Sequence, residues 1–319
     1  MKYAIGIDIG GTKVASGIVN ERGDLIQEEK VPSDSSDREK MFSCVVTCVN
    51  NLLDHSSIPL DQIVGIGAGV PGKVDVDNGV AIFQNNLPWG GFPLADRLKD
   101  TFGVESVTID NDVYMATFAE WKKANLVDNE LFVYATISTG ISCAIIQGGE
   151  FLRGAGFAGE LGLVPVMQRE GAASFGDASV RENTSVDATR LENVAAGPAM
   201  EKKANARYGT TDMSGVTLFA KFYDGDELAV ELVEQMADSI AQGVYMLTSI
   251  IDPHKIVFGG SVAFYNPSLV DLIKDKLRLR LIDEQEHILD NIDVSTMENG
   301  QGIIGAGLRA LSRREAQRQ

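Results

Sequence analysis

The chain has 319 residues, of which 44% are hydrophobic and 23% are charged, and it contains 33 glycines. This length suits two domains of about 150 residues each, and the composition is typical of a globular α/β protein, not of a disordered or collagen-like one. The formal charge of −17 argues against nucleic acid as a partner, because the negative field of the protein would repel a phosphate backbone.

Targeting signals are not evident in the sequence. The N-terminus lacks the pattern of a signal peptide, and no apolar stretch reaches the roughly 20 residues of a membrane span, so we expect a cytoplasmic protein. Cys44, Cys48 and Cys143 are too few for a disulfide framework. Cys44 and Cys48, four residues apart in a predicted helix, are expected to pack as small hydrophobic side chains and not to bind metal.

The first part of the chain predicts a strand-rich opening followed by alternating helices and strands. Apolar β-compatible runs between turn residues indicate strands at 3–9, 14–19, 25–31, 63–70, 79–83 and 107–109. Apolar residues at helical spacing predict helices over 37–53 and 112–123.

A second cycle with the same pattern begins at residue 131. Strands are predicted at 132–137, 142–147 and 256–258, and helices at about 191–207, 214–222, 226–251, 269–281 and from 303. The polar segment 168–187 is interpreted as a long loop. We therefore expect two α/β domains with a cleft between them: a smaller one at 1–112 with the C-terminal helix 303–319, and a larger one at 113–302.

Two turns of small residues could bind phosphate. Gly10 and Gly11 allow a close approach of backbone N–H groups and a positive φ, Thr12 adds a hydroxyl, and Asp8 could hold Mg²⁺ directly or through water. A plain glycine hairpin explains this turn equally well, and the spacing is not that of a Walker loop. The turn at 138–140 is weaker alone, but the pair favours phosphate binding.

Acidic and amide side chains lie where they could bind a polyol. Asp112, where a strand enters a helix, could act as a general base, with Asn111 beside it. Local sequence alone favours the alternative that an Asp caps this helix. Glu160 in a glycine-dense loop, and Asn86 near Trp89, would also suit a polyol; structural loops remain the alternative for both.

Taken in order, the motifs resemble those of the ROK family of bacterial sugar kinases. The resemblance extends over nearly the whole chain. The matching segments are Asp8–Lys13, Gly69–Gly72, Asn86–Trp89, Asn111–Asp112, Ala158–Gly162, Leu191–Gly197, Asp252–Pro253 and Gly259–Gly260.

The resemblance implies two actin-like (ribonuclease-H-like) domains, each with a central mixed sheet flanked by helices. It also implies phosphorylation of a hexose at the 6-hydroxyl by ATP and Mg²⁺, as in glucokinases, by a protein that is often a homodimer. Asp112 would be the base. The sugar would be bound by Gly72, Asn86, Asn111, Glu160 and Glu192. ATP would be bound by Asp8, Gly10, Gly11, Thr12, Lys13, Thr139, Gly140, Gly259 and Gly260.

Two positions depart from the family pattern. Leu163 stands where the family places a zinc-binding His that also contacts sugar hydroxyls, and the segment 168–190 contains neither Cys nor His, so we predict no zinc site. The turn at 138–144 keeps a single glycine, Gly140, where the family has several.

These departures leave alternative functions open. The substrate could be an N-acetylated or otherwise modified hexose such as N-acetylmannosamine, or fructose. The chain could also be a sugar-binding or regulatory protein with impaired catalysis. A DNA-binding repressor of the same family is disfavoured by the acidic charge and by a phosphate motif that begins at Asp8.

Overall fold

The computed structural model describes residues 1–84, 86–127, 129–169, 186–297 and 300–316, which belong to two units. The first unit comprises Met1–Leu126 and Met297–Gln319, and the second comprises Val127–Thr296. The first unit extends beyond the boundary that we placed at residue 112, because the helix that starts there packs on the C-terminal helix. Within these ranges, no helix combines the length and the apolar character needed to cross a membrane.

The first unit is built on a mixed sheet. Its elements before residue 127 are β1 (Tyr3–Ile9), β2 (Lys13–Asn20), β3 (Leu25–Pro32), α1 (Arg38–His55), β4 (Ile63–Val70), β5 (Lys73–Asp75), β6 (Val80–Phe83), β7 (Gly90–Phe92), α2 (Leu94–Phe102), β8 (Val107–Asn111) and α3 (Asp112–Ala124). The sheet has the order β3-β2-β1-β4-β8. The β1–β2 and β2–β3 pairs are antiparallel, whereas β1–β4 and β4–β8 are parallel.

The second unit repeats this plan. Its elements are β9 (Leu131–Ile137), β10 (Ile141–Gln147), β11 (Glu150–Phe151), β12 (Pro165–Arg169), β13 (Val186–Arg190), α4 (Glu192–Ala195), α5 (Gly197–Tyr208), α6 (Gly215–Tyr223), α7 (Glu227–Ile251), β14 (Lys255–Gly259), α8 (Gly260–Tyr265), α9 (Pro267–Arg278) and β15 (Ile292–Val294). Its main sheet has the order β11-β10-β9-β14-β15. The chain then returns to the first unit as α10 (Gln301–Ala316).

The structure differs from the predicted elements in two places. The helix expected over 191–207 is divided into α4 and α5, because Ala196 is extended (φ −75°, ψ 157°) and Pro198 stands in the first turn of a new helix. The segment 168–187 is not loop throughout, since β12 and β13 pair as an antiparallel ribbon. The rest of that segment, 170–185, lies outside the described residues.

Glycines bring α10 into backbone contact with its neighbours in the first unit. A Cβ atom at Gly6 of β1 would lie 1.8 Å from the Ile303 carbonyl oxygen, and one at Gly67 of β4 would lie 1.9 Å from that of Ala306. A Cβ on Gly305 would lie 1.7 Å from the Met115 oxygen of α3. The helix therefore packs directly on the sheet backbone, and no side chain fits between them.

Candidate functional site

The candidate residues of the first unit lie at the carboxyl ends of three parallel strands. In the register of β1, β4 and β8, Asp8 pairs with Gly69, and Gly69 pairs with Asp110. A Cβ on Gly69 would lie 3.3 Å from the Asp112 Cα. The sheet thus gathers Asp8 and Asp112 at one edge, the edge where open α/β sheets bind their ligands.

The first candidate phosphate turn, Gly10–Lys13, directly contacts Asn86. A Cβ on Gly11 would lie 3.1 Å from both the Cβ and the carbonyl oxygen of Asn86. Neither Gly10 nor Gly11 is among the glycines with positive φ, so our expectation of positive φ in this turn was wrong. Gly11 is required here by the close approach of Asn86.

Asp8 and Asp112 form a pair of interacting carboxyl groups. Burial raises the pKa of Asp8 to about 6, the charge of Asp112 adds to the increase, and Lys13 opposes it. Burial also raises the pKa of Asp112. A carboxylate at a strand end is an oxygen ligand suited to a hard divalent cation, so Asp8 fits Mg²⁺.

The start of α3 separates the roles of Asn111 and Asp112. Asn111 is the N-cap, and its Oδ1 accepts a 2.9 Å hydrogen bond from the Val113 N–H. Its Nδ2 donates to the Gly72 carbonyl oxygen at 2.9 Å, which fixes the turn after β4. Asp112 Oδ1 also accepts from the Val113 N–H at 2.9 Å. Because Asn111 supplies the cap, Asp112 is not needed for that purpose.

Trp89, three residues after Asn86, is buried. Its side chain is 2% exposed, its indole N–H donates to the Arg38 carbonyl oxygen at 3.1 Å, and its ring stacks on Phe92 at 4.7 Å. The expectation that Trp89 would face a polyol was therefore wrong, and the structural alternative holds. Asn85, beside Asn86, lies outside the described residues.

In the second unit, the Glu160 loop and Glu192 are neighbours. A Cβ on Gly162 would lie 3.2 Å from the Cβ of Glu192. Burial raises the pKa of the Cys143 thiol to about 12, and the charge of Glu160 contributes to the increase. Glu160 and Leu163 are both exposed.

The second candidate phosphate turn, at 138–140, lies beside Gly259–Gly260. Gly260 has φ +79°, and a Cβ on it would lie 2.5 Å from the Ile137 oxygen. Ser138 accepts a 2.9 Å hydrogen bond from the Gly197 N–H through its backbone oxygen. Thr139 and Gly140 are exposed. The structure thus brings the turn, the start of α5 and the start of α8 together.

No metal centre with three or more ligands occurs among the residues that the structure describes. The segment that departs from the zinc-binding pattern, 168–190, lies partly outside those residues, and its sequence contains neither Cys nor His. The absence of zinc stays a prediction.

Gly302 lies against Asp8, a contact that the sequence did not predict. A Cβ on Gly302 would lie 2.8 Å from the Asp8 Cγ, so the first turn of α10 leaves room for this carboxyl group. Only the small size of Gly302 could have signalled the contact, because the two residues are distant in sequence and meet through tertiary packing.

Replacing Asp8 by Asn should stabilise the ligand-free protein at pH 8. The Asp8 pKa is raised from 3.8 to about 6, so the folded protein disfavours the ionised carboxyl group. The free energy of unfolding therefore falls as pH rises through about 6. We expect Asp8→Asn to gain about 3 kcal/mol at pH 8 and only about 0.5 kcal/mol at pH 4. Thermal melts in EDTA at both pH values measure this. A gain of equal size at the two values would contradict it.

Comparisons with known proteins agree along the whole chain. The model of the ROK family matches residues 4–313. A glucokinase from Halalkalibacterium halodurans is 26% identical over 317 residues, covering 96% of this chain and 94% of that protein. A xylose repressor from Caldicellulosiruptor bescii is 23% identical over 319 residues, covering 97% of this chain and 78% of the repressor.

The crystal structure of a ROK hexokinase from Thermus thermophilus has a TM-score of 0.78 and 27% identity, covering 98% of this chain and 99% of that one. The expected fold class is confirmed by this structural match.

Proposed function

The chain belongs to the ROK family, and we propose that it is a sugar kinase that transfers the γ-phosphoryl group of ATP to the 6-hydroxyl of a hexose. The similarity to a glucokinase over 96% of the chain supports a sugar as the acceptor. We also propose, from the family resemblance, that the protein is cytoplasmic and forms a homodimer.

One observation carries this proposal. The interacting carboxyl groups of Asp8 and Asp112 lie at the same edge of one sheet as the contact of Gly11 with Asn86. A glycine hairpin of purely structural purpose would not require acidic groups with raised pKa values beside it. Perturbed carboxyl groups at a strand edge are typical of functional sites.

In the proposed reaction, Asp112 accepts the proton of the attacking hydroxyl. The hydroxyl oxygen forms a bond to the γ-phosphorus, the bond from phosphorus to the bridging oxygen breaks, and ADP leaves. Asn86, Asn111, Glu160 and Glu192 would orient the other hydroxyls of the sugar, with Gly72 held by the Asn111 amide.

ATP would be bound through its phosphates. Backbone N–H groups of the turn from Gly10 to Lys13 suit phosphate oxygens, and we assign Thr139, Gly140, Gly259 and Gly260 to the same nucleotide. Asp8 would hold Mg²⁺, directly or through water, which neutralises phosphate charge when bound. With the cation bound, the repulsion between Asp8 and Asp112 would be offset.

The test is a coupled ADP-release assay over hexoses and N-acetylhexosamines, with ATP and Mg²⁺. We expect turnover on at least one sugar, with the phosphate found on the 6-hydroxyl of the product. Sugar binding without turnover on any sugar would contradict the kinase and favour a sensor.

Leu163 should set the preference among sugars. A leucine side chain cannot form a hydrogen bond with a sugar hydroxyl. A hydroxyl that binding buries against it without a partner weakens binding by roughly 1–3 kcal/mol. We therefore propose that substituted sugars such as N-acetylmannosamine, or fructose, compete well with glucose. Leu163→His should raise kcat/KM for glucose about tenfold relative to the N-acetylated sugar, whereas Leu163→Met should not. A ratio unchanged in the His variant would remove Leu163 from the specificity argument.

A sugar-binding regulator is the second candidate. The xylose repressor of Caldicellulosiruptor bescii is similar over 97% of this chain, and the turn at 138–144 has one glycine. Calorimetry with sugar in the absence and presence of ATP distinguishes the two functions. A regulator without catalysis would bind sugar with an affinity that ATP leaves unchanged.

A further inference from the structure

The first residue after β3 ties down the carbonyl oxygens of the first phosphate turn. The Ser33 hydroxyl donates a 2.7 Å hydrogen bond to the Gly10 carbonyl oxygen. The Ser33 backbone N–H donates a 3.0 Å hydrogen bond to the Thr12 carbonyl oxygen. One residue, directly after a neighbouring strand, thus binds the turn at two points.

The position of Ser33 follows from the sheet register. Pro32, the last residue of β3, pairs with Lys13 at the start of β2. Proline has no backbone N–H to donate, so the next donor along the strand is that of Ser33. This donor reaches the carbonyl oxygen of Thr12, the residue before Lys13, and extends the pairing of the two strands into the turn.

The backbone groups of the turn differ in whether they have hydrogen-bond partners. The Gly10 N–H donates to the Lys13 carbonyl oxygen at 3.0 Å, so the carbonyl oxygens of Gly10, Thr12 and Lys13 all have donors. In contrast, the N–H groups of Gly11 and Thr12 have no acceptor within the described part of the chain. Gly11 is half-buried and Thr12 is exposed.

This division determines which charge the turn can bind. A backbone carbonyl oxygen repels a phosphate oxygen, whereas an unpaired N–H attracts it, so a turn binds anions when its N–H groups converge and its carbonyl groups point elsewhere. The two hydrogen bonds of Ser33 occupy the carbonyl oxygens of Gly10 and Thr12, which would otherwise face an anion without a donor.

We infer that Ser33 is a positioning residue for the phosphates of ATP, acting through the Gly10–Lys13 turn without touching the nucleotide. The inference rests on the proposed binding of ATP at this turn. The effect of Ser33 should depend on the phosphates and not on the nucleoside, because the turn would contact only the phosphates. Replacing the Ser33 hydroxyl should therefore weaken binding according to the number of phosphates.

The experiment compares ATP and AMP by calorimetry on four proteins: wild type, Ser33→Ala, Ser33→Thr and Ser36→Ala. Losing one hydrogen bond of ordinary strength corresponds to roughly a five- to tenfold change in affinity. We expect Ser33→Ala to raise the Kd for ATP five- to tenfold and the Kd for AMP less than twofold. Ser33→Thr keeps the hydroxyl and should bind ATP within twofold of wild type.

Ser36→Ala is the matched control. Ser36 lies on the same segment, and its hydroxyl bonds the Asp34 carboxylate at 2.5 Å, not the turn, so nucleotide affinity should not change. In turnover assays, Ser33→Ala should raise KM for ATP and leave KM for the sugar unchanged. Melting temperatures of all variants exclude a loss of fold.

Two results would overturn the inference. Either Ser33→Ala binds ATP as tightly as wild type, or it loses ATP and AMP equally, which would indicate a general structural role. The proposed kinase function fails separately, if wild-type protein binds ATP but phosphorylates no sugar. Wild-type protein that binds no ATP would contradict both.

Discussion

Asp112→Asn is expected to lower kcat by about 10²- to 10⁴-fold, the range that a general base contributes, while the Kd values for ATP and sugar stay within about threefold. The carboxyl group is replaced by a neutral group of the same shape, and the N-cap of α3 remains because Asn111 provides it. The loss should therefore fall on proton transfer and not on folding or binding.

The control for this variant is Asp96→Asn. Asp96 also lies in the first turn of a helix, α2, but it is exposed and pairs with Lys99 at 3.0 Å, so kcat should not change. Steady-state assays with each substrate varied in turn separate kcat from KM. Undiminished kcat in Asp112→Asn would remove this residue as the base.

The rate should also fall on the acid side at a higher pH than an ordinary aspartate would cause. Burial raises the pKa of Asp112 above 3.8, and only the ionised carboxylate accepts a proton. The rate therefore declines as pH falls through the raised pKa, and the residual rate of Asp112→Asn should lack this limb.

Gly305→Ala should lower the free energy of unfolding by at least about 3 kcal/mol, which corresponds to a melting temperature roughly 10 °C lower. The added Cβ would lie 1.7 Å from the Met115 carbonyl oxygen and 3.3 Å from the Ala119 nitrogen. Both atoms belong to the backbone of α3, so no side chain can move aside and α10 itself must shift.

Gly90→Ala is the control for overpacking. Nothing lies within 4 Å of a Cβ at Gly90, and its φ is not positive, so the melting temperature should change by less than about 2 °C. Calorimetry and urea titration of both variants measure the difference. A Gly305→Ala protein as stable as Gly90→Ala would show that α10 does not pack against α3 at this distance.

The strands that end beside the candidate site were predicted from the sequence, because each depends on local patterns. The strands predicted at 3–9, 63–70 and 107–109 correspond to β1, β4 and β8, because runs of apolar residues mark buried strands. Their parallel pairing was not predicted. The hairpin at the start of each unit was also predicted. These features need only the period of apolar residues and the residues of the turns.

Contacts between distant segments were not predictable in this way. Ser33, Gly302 and Trp89 gain their roles from residues far along the chain, and no local period marks them. The competition between Asn111 and Asp112 for the N-cap is settled by backbone geometry at the end of β8, which single-residue preferences do not resolve. Local sequence alone favoured an aspartate as the cap, whereas the structure has Asn111 in that position.

The return of the chain to the first unit has a consequence for biosynthesis. Because α10 is translated after the whole of Val127–Thr296, the first sheet emerges from the ribosome long before the helix that packs on it. The second unit is continuous in sequence and can fold as it emerges, whereas the glycine-lined backbone of β1 and β4 must wait with one face uncovered. We expect this interval to be the stage at which the nascent chain is most prone to aggregate and most dependent on chaperones.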